Sequence, residues 1–96
     1  MTDIDKTERA RQRGINARLL LETPLLVEAL AEVRKELMAA WEASPAADEK
    51  GREKLWLMLK LLNKIPAHLE TVMNDGKIAE HELVEVERRK KFRIFG

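Results

Sequence analysis

Residues 23–76, TPLLVEALAEVRKELMAAWEASPAADEKGREKLWLMLKLLNKIPAHLETVMNDG, contain the two apolar stripes that decide the fold of this chain. In the first stripe the apolar residues recur at steps of four and three: Leu26, Leu30, Val33, Leu37 and Ala40 or Trp41. This spacing places them on one face of an α-helix, with charged residues on the other faces. We therefore predict an amphipathic helix from about Pro24 to Ala43.

The residues at the ends of this stripe support the same boundaries. Thr23 is a preferred N-cap residue, and Pro24 is well tolerated at the first helical position because it has no amide hydrogen to lose there. At the other end, Ser44 precedes Pro45, and the residue before a proline is pushed out of the helical region. The sequence therefore limits the first amphipathic helix at both ends.

The second stripe has the same heptad-like spacing. It comprises Leu55, Met58, Leu62, Ile65, Leu69 and Val72. Asp48 is a good N-cap, and Asn74-Asp75-Gly76 is typical of a helix end. Pro66 lies inside this stretch, and a proline there removes a backbone hydrogen bond, so we expect a kink or a break into two pieces. The prediction is a helix over about residues 49–75.

Two further helices are expected on either side. The first runs from about Asp3 to Leu21, is interrupted by Gly14 and is weak or frayed over residues 1–14. The last covers about Lys77 to Lys91. We thus predict an all-α fold in one domain, residues 1–96: an antiparallel helical hairpin (about 24–43 and 49–75) with flanking N- and C-terminal helices, three to four helices in total.

Composition narrows the class of protein. Hydrophobic residues make up 45% of the chain and charged residues 36%, which is typical of long helices and argues against disorder. There is no cysteine, hence no disulfide, thiolate nucleophile or cysteine-based metal site. The N-terminus is charged and unlike a secretory signal, and no apolar run approaches 18 residues, so we expect no membrane span.

Groups for catalysis are scarce. Ser44 is the only serine, and it lies in a loop before a proline. His68 and His81 are the only imidazoles, and two histidines beside carboxylates are too few for a usual zinc site. The four glycines are isolated and form no phosphate-binding loop. We expect no enzyme activity, no catalytic residues, no cofactor and no metal.

The two tryptophans flank the turn between the amphipathic helices. Trp41 and Trp56 are interpreted as core residues packed beneath the loop, since tryptophan is highly buried on average. The alternative is an exposed aromatic anchor for a partner.

The C-terminal segment, residues 88–96, has the most distinctive chemistry. It combines five cations with three bulky apolar side chains, and its candidate partner-binding residues are Arg88, Arg89, Lys90, Lys91, Phe92, Arg93, Ile94 and Phe95. The net charge of the whole chain is only +1, so this basic end is a local feature. We interpret it as a segment that docks on a protein. Nucleic-acid binding and a solvated end without a role are the alternatives.

Several segments resemble a group of short, mostly uncharacterised α-helical proteins of tailed bacteriophages and prophages, encoded near head-assembly and packaging genes. The likeness covers about Arg9 to Leu83. It is carried by LLETPLL (20–26), EAL (28–30), Trp41, DEKGREKLW (48–56), HLE (68–70) and GKIA (76–79). It implies helix caps and core positions and no catalytic residues, and the basic end from Arg88 onward is less typical of the pattern.

The resemblance implies a structural or assembly protein of a phage particle. Such a protein would dock on the capsid, the portal or a neighbouring subunit through its helical faces and its C-terminal segment. We expect it to form a homo-oligomer and to be found in the virion or the host cytoplasm. The alternative is a DNA-packaging protein resembling a small terminase subunit, with basic ends that bind DNA. An early regulatory protein that blocks a host enzyme would also have this size and helicity.

Overall fold

The computed structural model describes the backbone of residues 2–95 and the side chains of residues 2–91. Within that range the chain forms three α-helices, α1 (Asp3–Leu21), α2 (Pro24–Ala43) and α3 (Glu49–Phe95), and no strand. The predicted all-α class is confirmed. None of the three helices, over the residues described, contains a stretch long and apolar enough to cross a membrane.

The chain divides into two compact units. One consists of Met1–Leu20 and Leu69–Gly96, and the other of Leu21–His68. We call these the terminal unit and the central unit. Each unit contains a pair of helical segments: α1 with the last part of α3 in the terminal unit, and α2 with the first part of α3 in the central unit.

In the terminal unit, α1 approaches α3 most closely at two glycines. A β-carbon on Gly14 would lie 2.6 Å from the Cα of Gly76, and one on Gly76 would lie 2.6 Å from the Cα of Gly14. Non-bonded carbon atoms do not approach so closely, so only glycine fits at either position. Nearby on the same helices, Ala17 and Ala79 are 3% and 4% exposed, and they are the buried apolar residues of the described chain.

This packing corrects two predicted boundaries. The expected helix end at residues 74–76 and the separate helix at 77–91 are wrong, because α3 passes through Gly76 without interruption. Gly14 likewise does not interrupt α1. Isolated glycine weakens a helix by roughly 1 kcal/mol relative to alanine. Tertiary packing, which supplies most helical stability in proteins, outweighs that cost at both positions.

In the central unit, α2 packs on the first part of α3 through half-buried leucines. These are Leu26, Leu30 and Leu37 on α2, with Leu55, Leu59 and Leu62 on α3. Arg34 donates a hydrogen bond to Asn63 (Nη2 to Oδ1, 2.5 Å), and Arg52 donates one to Ser44 (Nη1 to Oγ, 2.8 Å). Later residues of α2 therefore meet earlier residues of α3, so the two segments run antiparallel.

The packed face of α3 differs from the predicted stripe by two residues. Met58 and Ile65 are exposed, whereas Leu59 and Pro66 are half-buried. The predicted break at Pro66 is also wrong, because α3 continues through it. Proline leaves the carbonyl of Leu62 without its usual helical donor but does not end the helix.

The connection between α2 and α3 is held by capping. The backbone N–H of Gly51 donates to Oδ1 of Asp48 (3.1 Å), so Asp48 is the N-cap that the sequence indicates. Arg52 Nη1 also donates to the carbonyl oxygens of Trp41 (3.1 Å) and Ser44 (3.2 Å). The guanidinium thus adds a donor to two carbonyl groups at the end of α2, and the Trp41 carbonyl also accepts from the backbone N–H (3.2 Å) and the hydroxyl (2.6 Å) of Ser44.

We predict that Gly76→Ala destabilises the protein. Alanine normally gains roughly 1 kcal/mol over glycine in a helix, but forcing a methyl group into a closed contact costs about 1–3 kcal/mol. With a backbone carbon only 2.6 Å away, we expect the upper end of that range and a net fall in the melting temperature. Thermal unfolding followed by circular dichroism measures it.

Asn16→Ala is the matched control, because Asn16 is exposed on α1 and gains helix propensity without a close approach. Its melting temperature should stay the same or rise. An equal rise for Gly76→Ala would show that the helices do not cross at the distance described.

We also predict that Arg52→Met lowers the free energy of unfolding by about 1–2 kcal/mol, because the hydrogen bonds of its guanidinium to the end of α2 and its contact with the Trp41 ring are lost while the apolar stem is kept. Lys50→Met removes the same charge two residues earlier in α3, at an exposed position, and it should change the stability by less than about 0.5 kcal/mol. Urea unfolding compares the two. Equal effects would mean that the capping bonds do not stabilise the connection.

Candidate functional site

The candidate partner-binding segment lies on the last turns of α3. Helix α3 includes Arg88, Arg89, Lys90 and Lys91, whose side chains are exposed. The backbone of residues 92–95 belongs to the same helix, but the predicted contacts of Phe92, Arg93, Ile94 and Phe95 fall on side chains outside the described ones. The basic run is therefore an extension of a helix and presents its cations on different faces.

Part of this basic character has a structural reason. The carbonyl groups at the end of a helix carry partial negative charge, so a cation near the last turn of α3 is favourable by about 0.3–1 kcal/mol, an effect that falls off within one turn. Arg88 also forms an ion pair with Glu85 on the preceding turn, at 3.5 Å. The basic character of the segment therefore has a reason within its own helix.

Two of these cations line an open groove in the terminal unit. The groove has a volume of about 480 Å³ and lies between α1 and the last part of α3. Its lining residues are of three kinds, the acids Glu8, Glu80 and Glu87, the cations Arg11, Arg88 and Lys91, and the apolar residues Leu83 and Val84. We call it the terminal groove. Its lining thus places two apolar side chains among charges of both signs.

Helical spacing explains which cations reach the terminal groove. Arg88 and Lys91 are three residues apart and therefore share a face of α3. Arg89 and Lys90, at steps of about 100° from Arg88, project from other faces. The sequence identified the basic run, but it could not divide the run into groove and non-groove residues without knowing where α1 lies.

On the α1 side of the terminal groove, Glu8 and Arg11 form an ion pair. Arg11 Nε donates a hydrogen bond to Glu8 Oε1 at 3.0 Å. This hydrogen bond lowers the pKa of Glu8 below its usual value and raises the pKa of Arg11. The i,i+3 spacing of these two residues on a helix was a signal in the sequence for such a pair.

The tryptophans are more exposed than the sequence predicts. Trp41 is 37% exposed and Trp56 is 52% exposed. Their interpretation as core residues beneath the loop is wrong, because leucines fill the seam and the indole rings lie at its edge. Each ring instead supports a cation: the guanidinium of Arg52 lies 3.9 Å from the centroid of the Trp41 ring, and the ammonium of Lys60 lies 5.0 Å from that of Trp56. Such contacts are typical of partly exposed aromatic residues.

The two histidines, which the sequence offered as weak candidates for metal ligands, lie on the surface. His68 and His81 are both exposed. Over the side chains of residues 2–91, no group of three or more histidine, cysteine, aspartate or glutamate residues is placed to hold a metal ion.

The chain matches no protein-family model, and no curated protein or solved structure shows significant similarity to it. The likeness to short phage proteins therefore rests on the sequence segments that carry it.

Proposed function

We propose that this chain is a non-enzymatic assembly protein that docks on another protein through the terminal groove and the basic end of α3. The observation that carries this proposal is the groove itself, in which the apolar side chains of Leu83 and Val84 lie between acids and cations. Interfaces between proteins commonly combine an apolar centre with a charged rim.

The exposed apolar surface supports the same function. Fifteen large hydrophobic side chains of the described residues are at least 37% exposed, and in the terminal unit these include Ile4, Ile78 and Val84. Such exposure is costly for a protein that works alone and useful for one that works in an assembly.

The sequence resemblance supplies the kind of partner. We propose that the partner is a protein of a tailed-phage particle, such as the capsid, the portal or a neighbouring subunit. The terminal groove is compatible with this partner because charges of both signs fix the register of a docked protein. The antiparallel pair in the central unit, α2 with the first part of α3, would form the hairpin-like body of the subunit.

The test uses two double variants with the same change in charge. Arg88→Gln/Lys91→Gln removes both cations that line the groove from α3, whereas Arg89→Gln/Lys90→Gln removes the two that project elsewhere. Glutamine preserves helix propensity, so both variants should keep their helicity. We expect the first to lower incorporation into purified particles about tenfold, and the second to leave it near the wild-type level. Quantitative mass spectrometry of the particles provides the measurement.

The DNA-packaging alternative gives a different result with the same variants. Phosphate contacts depend on the number of cations near the backbone, so the two variants would lose duplex-DNA affinity equally and would show the same reduced salt dependence. Absence of the protein from particles, or equal losses of incorporation, would contradict the docking proposal. DNA binding that falls equally in both variants would favour the packaging function instead.

A further inference from the structure

The central unit has an apolar face that neither α2 nor α3 covers. On one side of the α2–α3 seam, polar bridges connect the helices: Arg34 to Asn63 and Arg52 to Ser44. Residues advance by about 100° along a helix, so the side opposite these bridges can be assigned on both helices. It carries Leu25 and Val33 from α2, with Met58, Leu61 and Ile65 from α3. We call these five residues the open apolar face.

This face is highly exposed. Leu25 and Leu61 are 73% and 61% exposed, and the other three residues are between 42% and 49% exposed. It continues the packed seam: Met58, Leu61 and Ile65 each stand next to a half-buried residue of α3, at positions 59, 62 and 66. The apolar arc of α3 is thus about twice as wide as the part that α2 covers, as expected for a helix with two packing partners.

The total surface indicates how much a partner should cover. The chain exposes 7881 Å², whereas a folded monomer of 11.1 kDa is expected to expose about 5,700 Å². A specific interface buries about 800 Å² on each partner. The excess, about 2,200 Å², is spread over the whole chain, and it is larger than the area that one such interface buries on a partner.

We propose that the open apolar face binds the same face of a second copy of this chain. In this two-fold arrangement α2 of one copy lies over α3 of the other, and the central units together form an antiparallel four-helix bundle. The face is suited to itself because apolar side chains occupy both helices. Glu36 follows Val33 by three residues and Lys54 precedes Met58 by four, so both lie on this side of the seam, at its end near the α2–α3 connection, where each copy offers charges of both signs.

The inference uses the central unit alone and does not rest on the proposed docking function of the terminal groove. A second copy is the occupant of choice because a single pair of helices buries only one seam, whereas two pairs sharing a face bury a core. The ordering entropy of the chain makes an isolated two-helix unit marginal.

The first experiment measures oligomeric state. We expect the wild-type protein to be a dimer, or a multiple of dimers, by light scattering after size exclusion, with a melting temperature that rises with protein concentration. Leu61→Glu places a charge in the centre of the face and should convert the protein to a monomer. Val27→Glu is the matched control, because Val27 is 51% exposed on the bridged side of α2 and should leave the dimer intact.

A second experiment remains informative if Leu61→Glu fails to fold. The natural chain has no cysteine, so single cysteines at Leu61→Cys and Val27→Cys can be labelled selectively with a maleimide. We expect labelling of the Leu61 variant to be at least tenfold slower than that of the Val27 variant at high protein concentration, and equal on dilution to monomer.

A monomeric wild-type protein with a concentration-independent melting temperature would overturn the proposal. So would equal labelling rates at high concentration. Either result would leave the incorporation test at the terminal groove unaffected.

Discussion

A pair of packed helices can bury only the side chains along its single seam, and this constraint governs the whole protein. Each compact unit contains one such pair. Accordingly, Ala17 and Ala79 are the buried apolar residues of the described chain, while most large hydrophobic side chains stay at least partly exposed. The structure depends on helices that are individually regular, with side-chain caps at the starts of α1 and α3, and it leaves apolar surface for further packing.

Within the two units, the helices pack against each other in different ways. In the terminal unit, Gly14 and Gly76 let the backbones approach closely, so many small van der Waals contacts replace large side chains. In the central unit, leucines such as Leu30 and Leu62 separate the helices and are shielded only in part. A wide leucine-rich seam suits a unit that gains from additional helices.

The two proposed surfaces have correspondingly different chemistry. The terminal groove combines apolar residues with acids and cations, which favours specific recognition of a different protein. The open apolar face lies opposite the polar bridges of Arg34 and Arg52 and is apolar over both helices, which favours self-association. A subunit with both could combine copies of itself and attach the assembly to something else, as an assembly protein must.

The sequence by itself determined the helical class, the bounds of α1 and α2, and the start of α3, because caps and prolines act locally and apolar spacing of three and four specifies helix. The sequence also contained a signal that α3 continues through Gly76, although the tendency of glycine to end helices obscured it. Leu55, Leu62, Leu69, Gly76 and Leu83 are spaced by seven, so Gly76 continues the packed stripe even though glycine next to Asn-Asp usually ends a helix.

Only the tertiary structure decided what these glycines do, since the effect of a missing β-carbon depends on the atoms of another helix. The tertiary structure also decided that Leu59 is half-buried while Met58 is exposed, and that the two tryptophans are exposed. It likewise decided that Arg88 and Lys91, of the basic run, line the terminal groove. Each of these depends on which side of a helix its neighbour covers, and a helix with an apolar arc wider than one seam does not specify that side in its own sequence.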